Sequence, residues 1–351
     1  MAPKLVLNEL HLASWKELIM KPVALTGIKP TGTPHLGNYL GAIKTALSRV
    51  ESSEAIYFIA DYHALTTVHK GEEMRHSIRE VAATWLALGL DPEKATIYKQ
   101  SDIPEIFELN WVLSCFTPKG FMNKAHAYKA KAQANQEKGD ELDSGVNMGL
   151  FGYPCLMNAD ILLFDSNIVP VGKDQKQHVE FARDIAVRFN KNYDQDLFVV
   201  PEPLIIGETE TIPGLDGRKM SKSYNNTIEL FLPSKKLKKK VNKIVTNSQE
   251  IHEAKDPEVC QVFALYKYFS TKIEQEALAA KYRAGGMGWG EAKNTLFEAI
   301  EFHFGDARKK YDDLMGHPDK IDVILAEGAQ KARVKAQAKI KAIREAVGVA
   351  W

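Results

Sequence analysis

Apolar residues fall along this 351-residue chain in two alternating rhythms. Short unbroken runs, VALTGI at 23–28 and AIYFIAD at 55–61, predict buried strands, with weaker strands expected at TIYK (96–99) and NIVPV (167–171). Between them, LGNYLGAIKTALSRV and EEMRHSIREVAATWLALGL repeat apolar positions at helical spacing. Strand, helix, strand in this order predicts an α/β fold, a parallel sheet covered by helices. After about residue 226 the strand pattern stops and helical spacing runs to the end, broken at GGMGWG and GHP. The expected organisation is an extension at 1–20 with the pattern of an amphipathic helix, an α/β domain over 21–226, and an all-helical domain over 227–351. Residues 132–148, AQANQEKGDELDSGVNM, are polar and contain glycine, so a mobile surface insert is expected there. EEMRHSIREVAATWLALGL is apolar on more than one face, which suits either double burial or part of a subunit interface.

Composition narrows the function. A net charge of +1 is too small for the whole surface to bind a polyanion, so any nucleic-acid contact must be a local patch. Two patches qualify. SKKLKKKVNK (234–243) holds six lysines and no acids, and KARVKAQAKIKAIR (331–344) holds six basic residues and no acids. Around the second run, Ala329, Ala332, Ala336, Ile340, Ile343 and Val347 form an apolar stripe, so a helix packed by that edge would turn its cations to solvent. Either run is also explained as a solvated basic face. Cys115, Cys155 and Cys260 lie far apart without a CxxC pair, which argues against a disulfide framework, a zinc site or an iron–sulfur site. No metal-ligating set is expected. No apolar run reaches the roughly 18 residues of a membrane span, and residues 1–20 lack a secretory signal. A cytoplasmic protein without membrane attachment is the expectation.

Two stretches carry candidate chemistry. GIKPTGTPHLGNYLG (27–41) follows a strand and opens a helix, where backbone N–H groups are exposed for an anion. It is not a Walker A loop, because Thr33 and Pro34 follow Gly32, and its spacing is not GxGxxG. By itself it reads as a tight turn with nothing bound. DGRKMSKSYNN (216–226) gathers Arg218, Lys219 and Lys222 with Ser221 and Ser223 on a glycine-preceded loop. Alone, that is a solvated surface turn.

Together they mean more. KMSKS matches letter for letter the second signature of class I aminoacyl-tRNA synthetases, and HLGN stands where their first signature belongs. With ADYHALT, YPCLMNADILLF and VPVGKDQKQHVEFARDIAVRFN, the chain resembles the bacterial-type tryptophanyl-tRNA synthetases over most of residues 23–226. That resemblance implies a Rossmann-like catalytic domain followed by a helical tRNA-binding domain. The implied activity joins L-tryptophan to ATP, with Mg2+, as an adenylate and then charges tRNA(Trp), in a homodimer.

The resemblance also implies roles for single residues. Lys219 and Lys222, with Ser221, would close on the triphosphate, and Lys131 matches a third lysine of the family. Thr31, His35 and Asn38 would lie along the phosphates and adenosine, Gly37 would leave room for adenine, Met220 would pack on it, and Gly172 and Asp174 would hold the ribose; Lys29 departs from the relatives that carry Gln there and would add a phosphate cation. Tryptophan has a single side-chain donor, its indole N–H, so its pocket needs a buried acceptor, and Asp160 in LMNADIL would supply it. A helix or interdomain salt bridge is the competing reading of Asp160. Met157 would line the slot beside His63; taken singly, each reads rather as core packing. Tyr153 and Gln175 would meet the amino and carboxylate ends. The alternatives are a tyrosyl-tRNA synthetase, a nucleotidyltransferase of the same superfamily, and a catalytically silent RNA-binding paralogue. LMNADILL and GKDQKQH disfavour the first, the basic helical part the second, and both signature lysines the third.

Overall fold

The structure, a computed structural model, describes residues 21–172, 175–205 and 212–350. The extension at 1–20 and the position of Asp174 lie outside the described residues. Five parallel strands, β1 (Val23–Ile28), β2 (Glu54–Ile59), β3 (Ala95–Lys99), β4 (Ile168–Val171) and β5 (Glu202–Ile205), stand in the order β3-β2-β1-β4-β5. In register, Leu25 faces Ile56 and Ile56 faces Thr96. The four expected strands form. β5 was not legible because EPLI is short, carries Pro203 and has no fully buried residue, features an edge strand tolerates.

The longer helices are α1 (Gly71–Ala87), α2 (Glu105–Phe116), α3 (His126–Lys138), α4 (Met148–Leu162), α5 (Lys176–Tyr193), α6 (Ser234–Asn242), α7 (Lys272–Ala284), α8 (Trp289–Gly316) and α9 (Pro318–Val347). One core packs α1 and α8 against one side of the sheet, joining Val81, Trp85 and Ile97 to Leu296 and Phe304. The other packs α2, α4 and α5, with Leu109, Ile161 and Phe189 around Leu25 and Phe58. α1 is buried from Glu80 to Ala87 within its own chain, so its two apolar faces answer to double burial rather than to a subunit interface. No described helix is long and apolar enough to cross a membrane.

Two expectations need correction. The polar insert is helical to Lys138, since its Ala, Lys and Gln residues favour helix. The turn beyond is tied down by Asn135 Nδ2, which donates to the carbonyls of Leu142 and Ser144, and by Tyr128, which donates to Asp143. The second correction concerns the basic run at 331–344. Its stripe is buried as expected, with Ala332, Ala336, Ile340 and Ile343 at 2% exposure or less. The cations, however, are turned to neighbouring parts of the protein. Arg333 pairs with Glu105, Lys335 with Glu54, Lys339 with Asp165, and Arg344 with Glu108, while Lys331 bonds the Pro92 carbonyl. The run therefore clamps α9 onto the sheet domain, with Arg333, Lys335 and Arg344 paired while 42–45% of each side chain stays exposed.

Candidate active site

The strand order reverses between β1 and β4, and a crevice at the carboxyl ends of strands beside such a reversal is where open α/β sheets bind ligands. The glycine turn after β1 and Gly172 after β4 both lie there. Gly32 adopts φ +69°, a left-handed conformation costly to residues with a side chain. The His35 N–H donates to Asn38 Oδ1 at 3.0 Å, opening the helix at Leu36. That helix continues through a π-helical turn, Tyr39–Ile43, a distortion frequent at functional sites.

Backbone pairing brings the second signature to the first. The Leu36 N–H donates to the Ile228 carbonyl at 2.9 Å and the Leu230 N–H to the Pro34 carbonyl at 3.1 Å, so the strand-like segment leaving KMSKS runs beside the glycine turn. The loop itself is held by Asn226, a 2%-exposed residue. Its side chain donates to Asp216 at 2.7 Å and to the Lys219 carbonyl at 3.1 Å, and accepts from the Ser221 N–H at 2.8 Å. Lys222 Nζ then donates to the Thr31 carbonyl at 2.5 Å. A methyl group placed on Gly32 would meet that ammonium at 3.2 Å, and one on Gly37 would meet the His35 ring at 3.0 Å and Met220 Cβ at 3.6 Å. Lys29, Thr31, His35, Gly37, Asn38, Met220 and Lys222 thus form one cluster.

Beneath it lies a cavity of about 300 Å³, rimmed by Lys29, Thr31, Asn38 and Lys222 and floored by Ile43, Val81 and Trp85. Burial lowers the pKa of both Lys29 and Lys222, and for Lys222 the charges of Glu80 and Glu229 oppose the shift. His35 is pushed down to about 4, first by burial and then by the Lys222 charge, so its imidazole is neutral at pH 7. The arrangement presents ammonium groups and a glycine-lined backbone to an anion.

A second polar cluster is built on α4. Asp160 is 1% exposed, and its carboxylate accepts from Gln100 Nε2 at 2.8 and 3.0 Å while His63 Nε2 lies 2.8 Å away. With the carboxylate ionised, that contact takes the proton on Nε2. The expected solitary carboxylate is therefore a networked one. Burial still raises its pKa, against the His63 and Gln100 bonds that lower it. The Tyr98 hydroxyl, also buried, finds no partner among the described residues, and burial and then the Asp160 charge push it well above its ordinary range. Tyr153 packs edge-on to His63 at 6.4 Å and shares a 2.7 Å hydrogen bond with His178. Met157 packs half-buried on the same core.

Other candidates stand apart. Lys219 is exposed, Ser221 accepts from the Ser223 N–H within its own loop, and the Gln175 N–H donates to the Gly172 carbonyl at 3.0 Å. Lys131 lies on α3 beside Gly145, without a described contact to either signature. Gln100, His178, Asn226 and Glu80 escaped the sequence reading. For Asn226, its place three residues beyond Ser223, the end of KMSKS, was the available signal.

Comparison with known proteins points to one family. A family model for class I tRNA synthetases (W and Y) matches residues 20–305. The tryptophan–tRNA ligase of Neisseria meningitidis is 52% identical over 94% of this chain and 98% of its own length. That of Bordetella parapertussis is 53% identical over 94% of this chain and 74% of its own. The crystal structure of Campylobacter jejuni tryptophanyl-tRNA synthetase complexed with ADP and tryptophan superposes with a TM-score of 0.86 at 44% identity, covering 93% of this chain and 99% of that one. With both signatures joined at one sheet reversal and a family match over most of its length, the chain belongs to the class I tRNA synthetases of the tryptophan and tyrosine group.

Proposed function

We propose that the chain is a tryptophan–tRNA ligase. It activates L-tryptophan with MgATP to tryptophanyl-adenylate and pyrophosphate, then transfers tryptophan to the terminal adenosine of tRNA(Trp). Magnesium arrives with the nucleotide as part of the substrate. The observation that carries the choice of amino acid is Asp160. Three of the roughly four acceptor positions of a carboxylate face His63 and Gln100, leaving one for an indole N–H. Met157, Tyr153 and Gln175 complete the amino-acid side, and Gly172 and Asp174 hold the ribose. Pyrophosphate exchange run with each amino acid in turn tests the reading. Exchange with tryptophan alone is expected, and exchange with tyrosine would overturn it.

Adenylate formation needs no enzyme nucleophile. Its barrier is the charge gathered on the α-phosphorus and the departing pyrophosphate, which fixed cations and backbone dipoles offset. Lys222 and Lys219 supply the cations. Lys222 leaves the Thr31 carbonyl for the phosphates, so its contact strengthens as the reaction proceeds. Lys222→Ala should accordingly lower kcat for exchange about 100-fold or more while KM for ATP changes by less than about threefold. Equal loss in both would make the lysine a uniform binder.

The tRNA is met by α6 rather than α9. Lys235, Lys236 and Lys239 are exposed there, with Lys243 exposed just past its end, while Leu237 and Val241 anchor the helix. Changing Lys235, Lys236 and Lys239 together to glutamate should raise KM for tRNA about tenfold or more and flatten its salt dependence, leaving exchange unaltered. The assembly proposed is a cytoplasmic homodimer.

A further inference from the structure

A buried carboxylate lies on the far side of the glycine turn, with no part in the chemistry above. Glu80 of α1 is 6% exposed. Its Oε1 accepts from Thr33 Oγ1 at 3.1 Å and from the Tyr311 hydroxyl of α8 at 3.3 Å, and the exposed His76 ring stands 3.9 Å from Oε2. Tyr311 in turn stacks on Phe231, on the segment leaving KMSKS, with centroids 4.5 Å apart. A buried charge without a close ion pair is costly to keep, and one beside a triphosphate site also opposes the substrate. Packing alone would be served better by glutamine or leucine.

We propose that Glu80 is a positioning residue that holds the Lys222 ammonium in its resting seat: it anchors the glycine turn through Thr33, two residues from the Thr31 carbonyl on which Lys222 rests. Its charge attracts that ammonium as well. ATP must then draw Lys222 away from both, so Glu80 adds to the cost of nucleotide binding in the empty enzyme. This inference rests on the ligase reading above.

Glu80→Gln keeps the volume and an acceptor for Thr33 and Tyr311 while removing the charge. Equilibrium dialysis with labelled ATP should show binding tightened threefold or more, and in exchange assays the gain should appear in KM for ATP rather than in kcat. The same change made together with Lys222→Ala should alter ATP affinity by less than 1.5-fold, because the group it restrains is gone. Thr33→Val removes the anchor without touching the carboxylate, and should show the same direction and the same dependence on Lys222, which covers a Glu80→Gln protein that melts early. An equal gain with and without Lys222 would mean that Glu80 repels the nucleotide directly. No gain, or weaker binding in both backgrounds, would make it a packing residue. Either outcome overturns the inference. Failure of the unaltered chain to bind ATP would overturn the ligase reading, and this inference with it.

Discussion

Replacing Asp160 by asparagine should lower tryptophan-dependent pyrophosphate exchange by about 10³-fold to 10⁴-fold, the range lost when a site built to bond one substrate donor can no longer do so. The loss should fall on kcat/KM for tryptophan, with KM for ATP little changed, and preference over phenylalanine should collapse with it. An asparagine amide retains one acceptor oxygen, and its NH₂ must face Gln100 Nε2, another donor. Folding should change its pH dependence as well. Burial raises the Asp160 pKa above its unfolded value, so between those two values the native state binds more protons than the unfolded one. Stability contributed by this group is therefore present below the unfolded pKa and lost as pH rises through the raised folded value. The asparagine variant lacks that titration, so its melting temperature should gain on the parent's as pH rises through the raised value, while it fails to activate tryptophan. A melting gap between variant and parent that does not change with pH would mean that the carboxylate's burial contributes nothing to that dependence.

What the sequence disclosed divides along a physical line. Strands β1 to β4 and both signatures are local patterns, since period, turn chemistry and a contiguous motif survive without tertiary information. Asp160 was legible for a related reason: one carboxylate in an apolar segment marks a cost that something must offset. Its partners were not, because Gln100 reaches it from 60 residues away and His63 from 97. The same applies to Glu80, an ordinary acid in a charged helix turn until Thr33, 47 residues earlier, and Tyr311, 231 residues later, are brought to it. The basic run on α9 shows the limit most plainly. Its hydrophobic stripe was read correctly from spacing, yet the destination of its cations depends on acids at 54, 105, 108 and 165 that only the fold places opposite them.

Substituting alanine at Gly328 should destabilise the protein by about 3 kcal/mol or more, although Ala in a helix interior ordinarily gains about 1 kcal/mol over Gly. β3 is an edge strand, and α9 covers it, so that backbone meets backbone at this point. A Cβ on Gly328 would stand 1.8 Å from the Ile97 carbonyl oxygen and 2.7 Å from its carbon. No rotamer relieves that overlap, because both partners are main chain, and α9 must withdraw as a body. Withdrawal opens the core at Ala332, Ala336, Ile340 and Ile343 and stretches the four ion pairs that clamp the helix. Gly305, inside α8 with nothing within 4 Å of its own Cβ position, supplies the control. There the same substitution should raise the melting temperature slightly. Opposite signs at the two positions, with new proteolytic cutting within α9 of the Gly328 variant alone, would establish that close approach to β3, and not helix propensity, fixes the glycine. A Gly328→Ala protein as stable as the parent would mean that α9 does not sit against the edge strand in solution.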